Sequence, residues 1–423
     1  MATRARPERD SVEVVLDSAE FGPETKVGTL RFSRARNDLP VSFEYDPDWL
    51  DRAANFQLDP RLELFGGEQH PPARAQTFGV FQDAAPDRWG RVLMERREGV
   101  IARREGRKAR RLGEMDFLLG VHDLARSGAL RFRRQANEPW LDDSKELAAP
   151  PATSLRELAH VSQKLEDPDS DDAPEVERWL ASLIAPGSSL GGARPKASFM
   201  ETDGSLWIGK FPGREDRHDV GAWEFVVHEL AREARIDVPP ARLERLTARH
   251  ATFCIARFDR AGNRRRVFSS AMTLLDRRDG EADASYLDLA ELIATHGAAG
   301  HIESDLAQLF RRVLFNVLVS NRDDHLRNHG FLRTRSGWRL APAYDVNPSL
   351  EKHEHALRLD DTSAEPNLTA VRESAELYRL TEREADRVLA QVRAVVKTWR
   401  EKAQAIGLSR DEQQRMEAAF EHD

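Results

Sequence analysis

In 423 residues the sequence has a single cysteine, Cys254. That excludes an internal disulfide and a zinc site built on cysteines. Cys254 lies in the apolar run TFCIA and reads as a small buried hydrophobe rather than a nucleophile. No apolar run approaches the roughly 20 residues needed to span a bilayer. The opening MATRARPERD lacks the apolar stretch of a secretory signal, so the expected compartment is the cytoplasm. An excess of basic charge is also missing: 64 Lys and Arg against 72 Asp and Glu leave a net charge of −8. This argues against general, charge-driven binding of nucleic acid. The local exception is the Arg-rich stretch from Arg96 to Arg111, which reads as a solvated basic face or as a contact surface for DNA or an acidic partner. Neither internal repeats nor low-complexity tracts occur.

What is present is the balance of a globular protein, with 40% apolar and 32% charged residues. The length suffices for two or three packed units. VEVVL, VGTLRF and VSFEY are short β-branched or aromatic runs that predict strands, and MDFLLGVHDLARSGALRF predicts a helix, a turn and a strand. A polar stretch ending at Pro150 and Pro151 follows, then a helical piece. The acidic run from Glu166 to Glu175 reads as a solvated loop, or as a recognition element for a basic partner. Between Ser188 and Phe258 the pattern is strand, helix, strand, carried by SLWIGKF, AWEFVVHELAREARI and TFCIARF. From Ser285 onward the chain is largely helical, and T-E-R-E at Thr381 to Glu384 is a capping box opening a long C-terminal helix. The expected division is 1–140, 150–260 and 261–423: a β-rich N-terminal part, a mixed lobe and a helical lobe.

The chemistry concentrates between Ser188 and Asp345. In NRDDHLRNHGFL, residues 321–332, Asp323 and Asn328 have the D-x-x-x-x-N spacing of a protein-kinase catalytic loop. Such a loop needs one carboxylate to reach the attacking hydroxyl and an amide oxygen to hold a metal beside the phosphates. LAPAYDVNPS then places Asp345 where a second carboxylate can complete a Mg2+ site. Two other readings stand beside this one. Asp and Asn commonly cap turns, and Asp323, Asp324, His325 and His329 could instead form a transition-metal site. His325 reads as a brace for the loop, and Asp324 as a supporting group.

Upstream, GSSLGGARPKA offers small residues whose backbone N–H groups can approach phosphate oxygens, with Arg194 and Lys196 supplying charge. It is not a Walker A loop, and its glycines, Gly191 and Gly192 among them, could simply make a turn. Lys210, in a predicted strand, is placed to face nucleotide phosphates, with Glu224 or Glu229 of the following helix to hold it, Glu224 favoured. The backbone from Ala256 to Phe258 could receive an adenine edge, with Phe258 against the ring.

Together these pieces resemble the HipA family of bacterial toxin–antitoxin serine/threonine kinases. The resemblance runs in order through VGTLRF, YDPDWL, APDRWGRVL, SLGGARPKA, FDR, DDHLRNHGF and APAYDV, nearly the whole chain. It implies an α+β, protein-kinase-like two-lobed fold with an added N-terminal β-rich subdomain. It also implies ATP- and Mg2+-dependent phosphorylation of a protein, an aminoacyl-tRNA synthetase being the known target type, and a small helix-turn-helix, HipB-like antitoxin as partner. DNA would be engaged only through that antitoxin, and no membrane is involved. Carried onto this chain, Asp323 resembles the catalytic aspartate, Asn328 and Asp345 the Mg2+ ligands, and Lys210 the phosphate lysine. Ser189, with Ser188 beside it, matches the autophosphorylated serine ahead of the loop lysine. One departure is Arg194-Pro195, where relatives often have Gln-Glu before that lysine. The competing readings are a catalytically idle co-repressor that binds an antitoxin, or a small-molecule kinase or nucleotidyltransferase on the same fold.

Overall fold

Alternating apolar residues at Val12, Val14 and Leu16 put one face of the first strand, β1 (Asp10–Ser18), in a core, where all three are buried. With β2 (Gly22–Phe32), β3 (Ser42–Tyr45) and β4 (Leu130–Arg133) it forms an antiparallel sheet of order β3-β2-β1-β4. The structure is a computed structural model that describes residues 9–33, 41–73, 75–143, 149–167, 170, 175–184, 194–278, 280–281 and 283–421. Two compact units divide the chain, one of residues 1–150, 168–193 and 259–267, the other of residues 151–167, 194–258 and 268–423.

In the first unit, the predicted motif segments do structural work. Asp87 of APDRWGRVL is the N-cap of α1 (Arg88–Arg104), accepting from Gly90 N–H at 2.8 Å. Asp46 of YDPDWL caps a short helix, Pro47–Leu50, in the same way. The helix α2 (Val176–Ile184) packs on α1. The Arg-rich stretch is laced with carboxylates of its own unit: Arg107 pairs with Glu98 and Glu105, and Arg110 with Asp116; just ahead of it, Arg91 pairs with Glu114. In FDR, Asp259 is fully buried, accepting from Gly128 N–H at 2.9 Å and pairing with Arg260 at 2.7 Å.

The second unit contains an antiparallel sheet of β5 (Lys196–Met200), β6 (Leu206–Lys210), β7 (Ala241–Glu244) and β8 (Thr252–Ala256), in the order β5-β6-β8-β7. Helix α3 (Val220–Glu233) packs on it, capped by Asp219, whose carboxylate also accepts from Ala251 N–H. Gly221 permits this approach, since a Cβ there would stand 2.5 Å from the Ala251 carbonyl oxygen.

Helix α4 (Tyr286–His296) and the seventeen-residue α5 (Ile302–Leu318) carry their apolar residues at helical spacing, as their sequences predict. After α5 come the loop 319–329 and a three-stranded antiparallel sheet, β9 (Phe268–Ser270), β10 (Gly330–Thr334) and β11 (Gly337–Leu340), in that order. The Thr381–Glu384 capping box opens α6 (Glu382–Val396). The helical tail then continues not as one rod but as α7 (Trp399–Ala405) and α8 (Arg410–Met416). The core they share includes Trp223 and Val227 of α3, Phe315 of α5, Val392 and Val396 of α6, and Phe420. None of the described helices is long and apolar enough to cross a membrane.

Candidate active site

Strand pleating and helix phase together build the cationic side of the site. Lys210 ends β6, directly opposite Lys196 of β5 and Phe253 of β8. Its Nζ donates to Glu224 Oε1 at 2.5 Å and to Asp345 Oδ1 at 2.6 Å. Glu224 projects from the buried face of α3, whereas Glu229 pairs with Arg232 on the outer face. Burial pulls the Lys210 ammonium down, but Asp345 and Glu224 outweigh it and hold the group well above the ordinary lysine range. Burial raises Glu224. Asp345 moves the other way: burial would raise it, yet Lys210, with Lys196 and His325 adding to the field, lowers it to about 2.

Asp345 itself has φ +57, a left-handed conformation uncommon for a residue with a Cβ. The chain leading to it is pinned on several sides. Ala341 N–H donates to Gly330 O, Arg312 Nη2 to Ala341 O, and Ala343 N–H to Asp237 O. Such over-determination is what a strained functional backbone requires.

The loop after α5 divides its two adjacent aspartates. Asp324 is buried and accepts from Tyr286 Oη (2.6 Å), Asn316 Nδ2 (2.7 Å) and His329 Nε2 (2.8 Å). Burial pushes its carboxyl up, but His329 and Tyr286 outweigh that and hold it below its ordinary value. Asp323 faces outward, 63% exposed, and pairs with Lys352. Asn328, buried in a 3-10 turn, donates weakly to Asp323 O, and its Oδ1 has no hydrogen-bond partner among the described residues. Among those residues, no group of three or more His, Cys, Asp or Glu side chains gathers to hold a metal ion. The transition-metal arrangement of Asp323, Asp324, His325 and His329 therefore does not form, because His329 is engaged with Asp324.

Residues 188–399 match the HipA-like C-terminal domain, and residues 21–115 match the HipA N-terminal domain. The chain belongs to the HipA family. A Haemophilus influenzae protein provisionally named as a kinase is 28% identical over 184 residues, 38% of this chain and 52% of that protein. The serine/threonine-protein kinase toxin HipA of Shewanella oneidensis is 26% identical over 247 residues, 50% of this chain and 54% of the toxin. The chain thus spans about half the length of these curated relatives. A solved Shewanella oneidensis HipA, in a complex with HipB and operator DNA, is similar over 97% of this chain and 95% of its own, with a TM-score of 0.65 at 19% identity. The likeness is one of fold, and the α+β, kinase-like architecture with its N-terminal β-rich part is the one expected from the sequence.

The remaining expected site residues of this HipA-family chain are placed as follows. Lys196 is buried on β5. Arg194 does not stand open to a phosphate: its guanidinium makes a bidentate pair with Asp216, at 2.8 and 2.5 Å. At the end of β8, Ala256 N–H donates to Pro240 O and Arg257 N–H to Leu206 O. Half-buried Phe258 packs on Tyr344, centroids 5.3 Å apart, and on Phe268. Ser188, Ser189, Gly191 and Gly192 lie outside the described residues. Three residues of the site escaped sequence reasoning. Asp216 had only a charged neighbourhood to mark it, and Lys352 had no local signal. Asn347, two residues after Asp345, donates to Asp345 at 3.3 Å and was legible in D-V-N as a possible ligand pair.

Proposed function

We propose that this HipA-family chain is an ATP-dependent serine/threonine protein kinase, with residues 150–260 and 261–423 as the two lobes of its catalytic part and residues 1–140 as the added subdomain. The observation that carries the reading is the Lys210–Glu224–Asp345 cluster, with Glu224 buried, in the same unit as the Asp323/Asn328 loop. Lys210, oriented by Glu224, would meet the ATP phosphates, with Lys196 adding positive charge from the next strand. Asp323 would accept the proton of the attacking hydroxyl. In the transfer, that oxygen bonds to the γ-phosphorus, the bond to the β–γ bridging oxygen breaks, and its electron pair leaves with ADP. Ala256 and Phe258 would border the adenine.

A hard, oxygen-liganded cation fits the residues here. Asn328 Oδ1 is buried without a partner among the described residues, and Asp345 is held ionised. These two would hold Mg2+, which when bound offsets the charge of the phosphates. Autophosphorylation at Ser189 or Ser188 belongs to the same proposal, as do Gly191 and Gly192 as nucleotide-binding residues. Its partners would be a HipB-like helix-turn-helix antitoxin, of the kind solved with the Shewanella HipA, and a protein substrate, with an aminoacyl-tRNA synthetase as the first target to try.

The test is phosphoproteomics of cells expressing the chain beside its Asp323→Asn variant, with intact mass of the purified proteins after Mg2+-ATP. New phosphosites present with the parent and missing with the variant support the kinase. Transfer of a whole nucleotide, or activity indifferent to divalent cations, overturns it.

A further inference from the structure

The partner of Asp323 is announced by no motif. Lys352 stands on the segment after Asp345, and hydrogen bonds lay that segment along the Asp323 loop. Asn347 N–H donates to Asn321 Oδ1 at 3.3 Å, Ser349 N–H to Ser320 O at 2.9 Å, and Ala356 N–H to Arg322 O at 3.0 Å. Arg322 Nη1 donates to Lys352 O at 2.5 Å. The backbone of Lys352 is therefore tied to the residue before Asp323, and its ammonium pairs with Asp323 Oδ1. The two side chains are 47% and 63% exposed, and ion pairs in that setting contribute little to stability. Four hydrogen bonds deliver a lysine to one exposed carboxylate, and the resulting ion pair has little structural return. They make sense if the carboxylate must be held in one orientation.

We propose that Lys352 is a positioning residue for phosphoryl transfer: by holding Oδ1 of Asp323 it turns Oδ2 toward the acceptor hydroxyl, and it sets a positive charge beside the phosphoryl group in flight. This inference rests on the kinase reading. An exposed aspartate otherwise samples several rotamers, and misplacement of a reacting group by about 1 Å can cost about 100-fold in rate. The transferring phosphoryl spreads its charge over three oxygens, so a fixed cation nearby is stabilising where charge is largest. A lysine meets this need as a point charge on a flexible stem, so arginine, longer and planar, substitutes for it in part.

The experiment uses the full chain and its Lys352→Met, Lys352→Arg and Asp323→Asn variants. Phosphate incorporation from radiolabelled ATP into the chain itself and into dephosphorylated casein gives kcat and KM, and a fluorescent ATP analogue reports nucleotide binding. Lys352→Met is expected to lose about 10- to 100-fold in kcat, with KM for ATP and analogue affinity within about twofold of the parent. Lys352→Arg is expected to recover part of the rate lost in Lys352→Met, with KM for ATP unchanged. An unchanged or raised kcat in Lys352→Met, with Asp323→Asn inactive, overturns the role of Lys352 and leaves the kinase reading standing. Parent-like transfer by Asp323→Asn, or none by the parent, overturns both.

Discussion

Lys210 and Asp345, 135 positions apart in the chain, meet at 2.6 Å, and the same ammonium holds Glu224 at 2.5 Å. One cation thus joins strand β6, helix α3 and the segment after β11. Removing it leaves the buried Glu224 carboxylate without its cation and beside Asp345, so Lys210→Met should cost about 3–5 kcal/mol as well as turnover. Protonation relieves two unpaired carboxylates, so the loss should shrink as pH falls toward roughly 5. Urea midpoints of parent and variant at neutral and mildly acid pH check this; a gap that stays constant with pH contradicts it.

Adjacent aspartates should fail in opposite ways. Asp323 is exposed, so Asp323→Asn should unfold like the parent while phosphoryl transfer drops about 10²- to 10⁴-fold. Asp324 accepts three hydrogen bonds in the interior. Asp324→Ala strands the donors of Tyr286, Asn316 and His329, and should cost about 3–5 kcal/mol. Thermal unfolding and an activity assay on both proteins separate the two effects.

The C-terminal end braces the helix that carries Glu224. Trp223, its neighbour in sequence, packs against Trp399 and Phe420, each 5.9 Å away, and those two rings stack at 4.8 Å. Phe420→Ala should therefore destabilise by about 3–5 kcal/mol, and Phe420→Leu by clearly less. Because α3 loses a support at Trp223, next to the Glu224 that orients Lys210, nucleotide affinity of the Ala variant should fall even at temperatures where it remains folded. Equilibrium binding of an ATP analogue below the unfolding transition reads this.

Burial pushes the Cys254 thiol up to about 12, and the side chain has no exposure. The folded protein should resist thiol reagents at pH 8 and react only on unfolding, which makes its one cysteine a reporter of unfolding. The same shift fixes a pH effect. Above roughly pH 8.5, where an unfolded thiol ionises, the unfolded chain releases a proton that the folded chain keeps. Stability should then fall as pH rises from about 9 toward 12, and Cys254→Ser or Cys254→Ala should flatten that part of the curve.

Much of the site was legible one segment at a time. The four residues between Asp323 and Asn328 specify a short turn in which the two can act on one centre, and the apolar period of 302–318 places that turn at the end of a helix. SLWIGKF and AWEFVVHELAREARI state their strand and helix through periods of 2 and 3.6, and Thr381 with Glu384 states a helix start through two local hydrogen bonds. Arg194 shows what such reading leaves out: basic residues beside glycines suggest a phosphate site, and nothing nearby announces that the guanidinium pairs with Asp216, 22 residues away.

The sequence alone determined the local elements, the loop bearing Asp323 and Asn328, and the family, because periodicity, capping and motif spacing are properties of neighbouring residues. Tertiary structure decided which charges meet. That Lys210 takes Glu224 rather than Glu229, that Asp324 is buried while Asp323 is presented outward, and that Lys352 reaches Asp323 all depend on contacts between distant segments. Such contacts are set by how helices and sheets pack around a shared apolar core, and burial then sorts the charges. A carboxylate enclosed among donors, as Asp324 is, is held at one place, while one left at the surface, as Asp323 is, is positioned only by what reaches it.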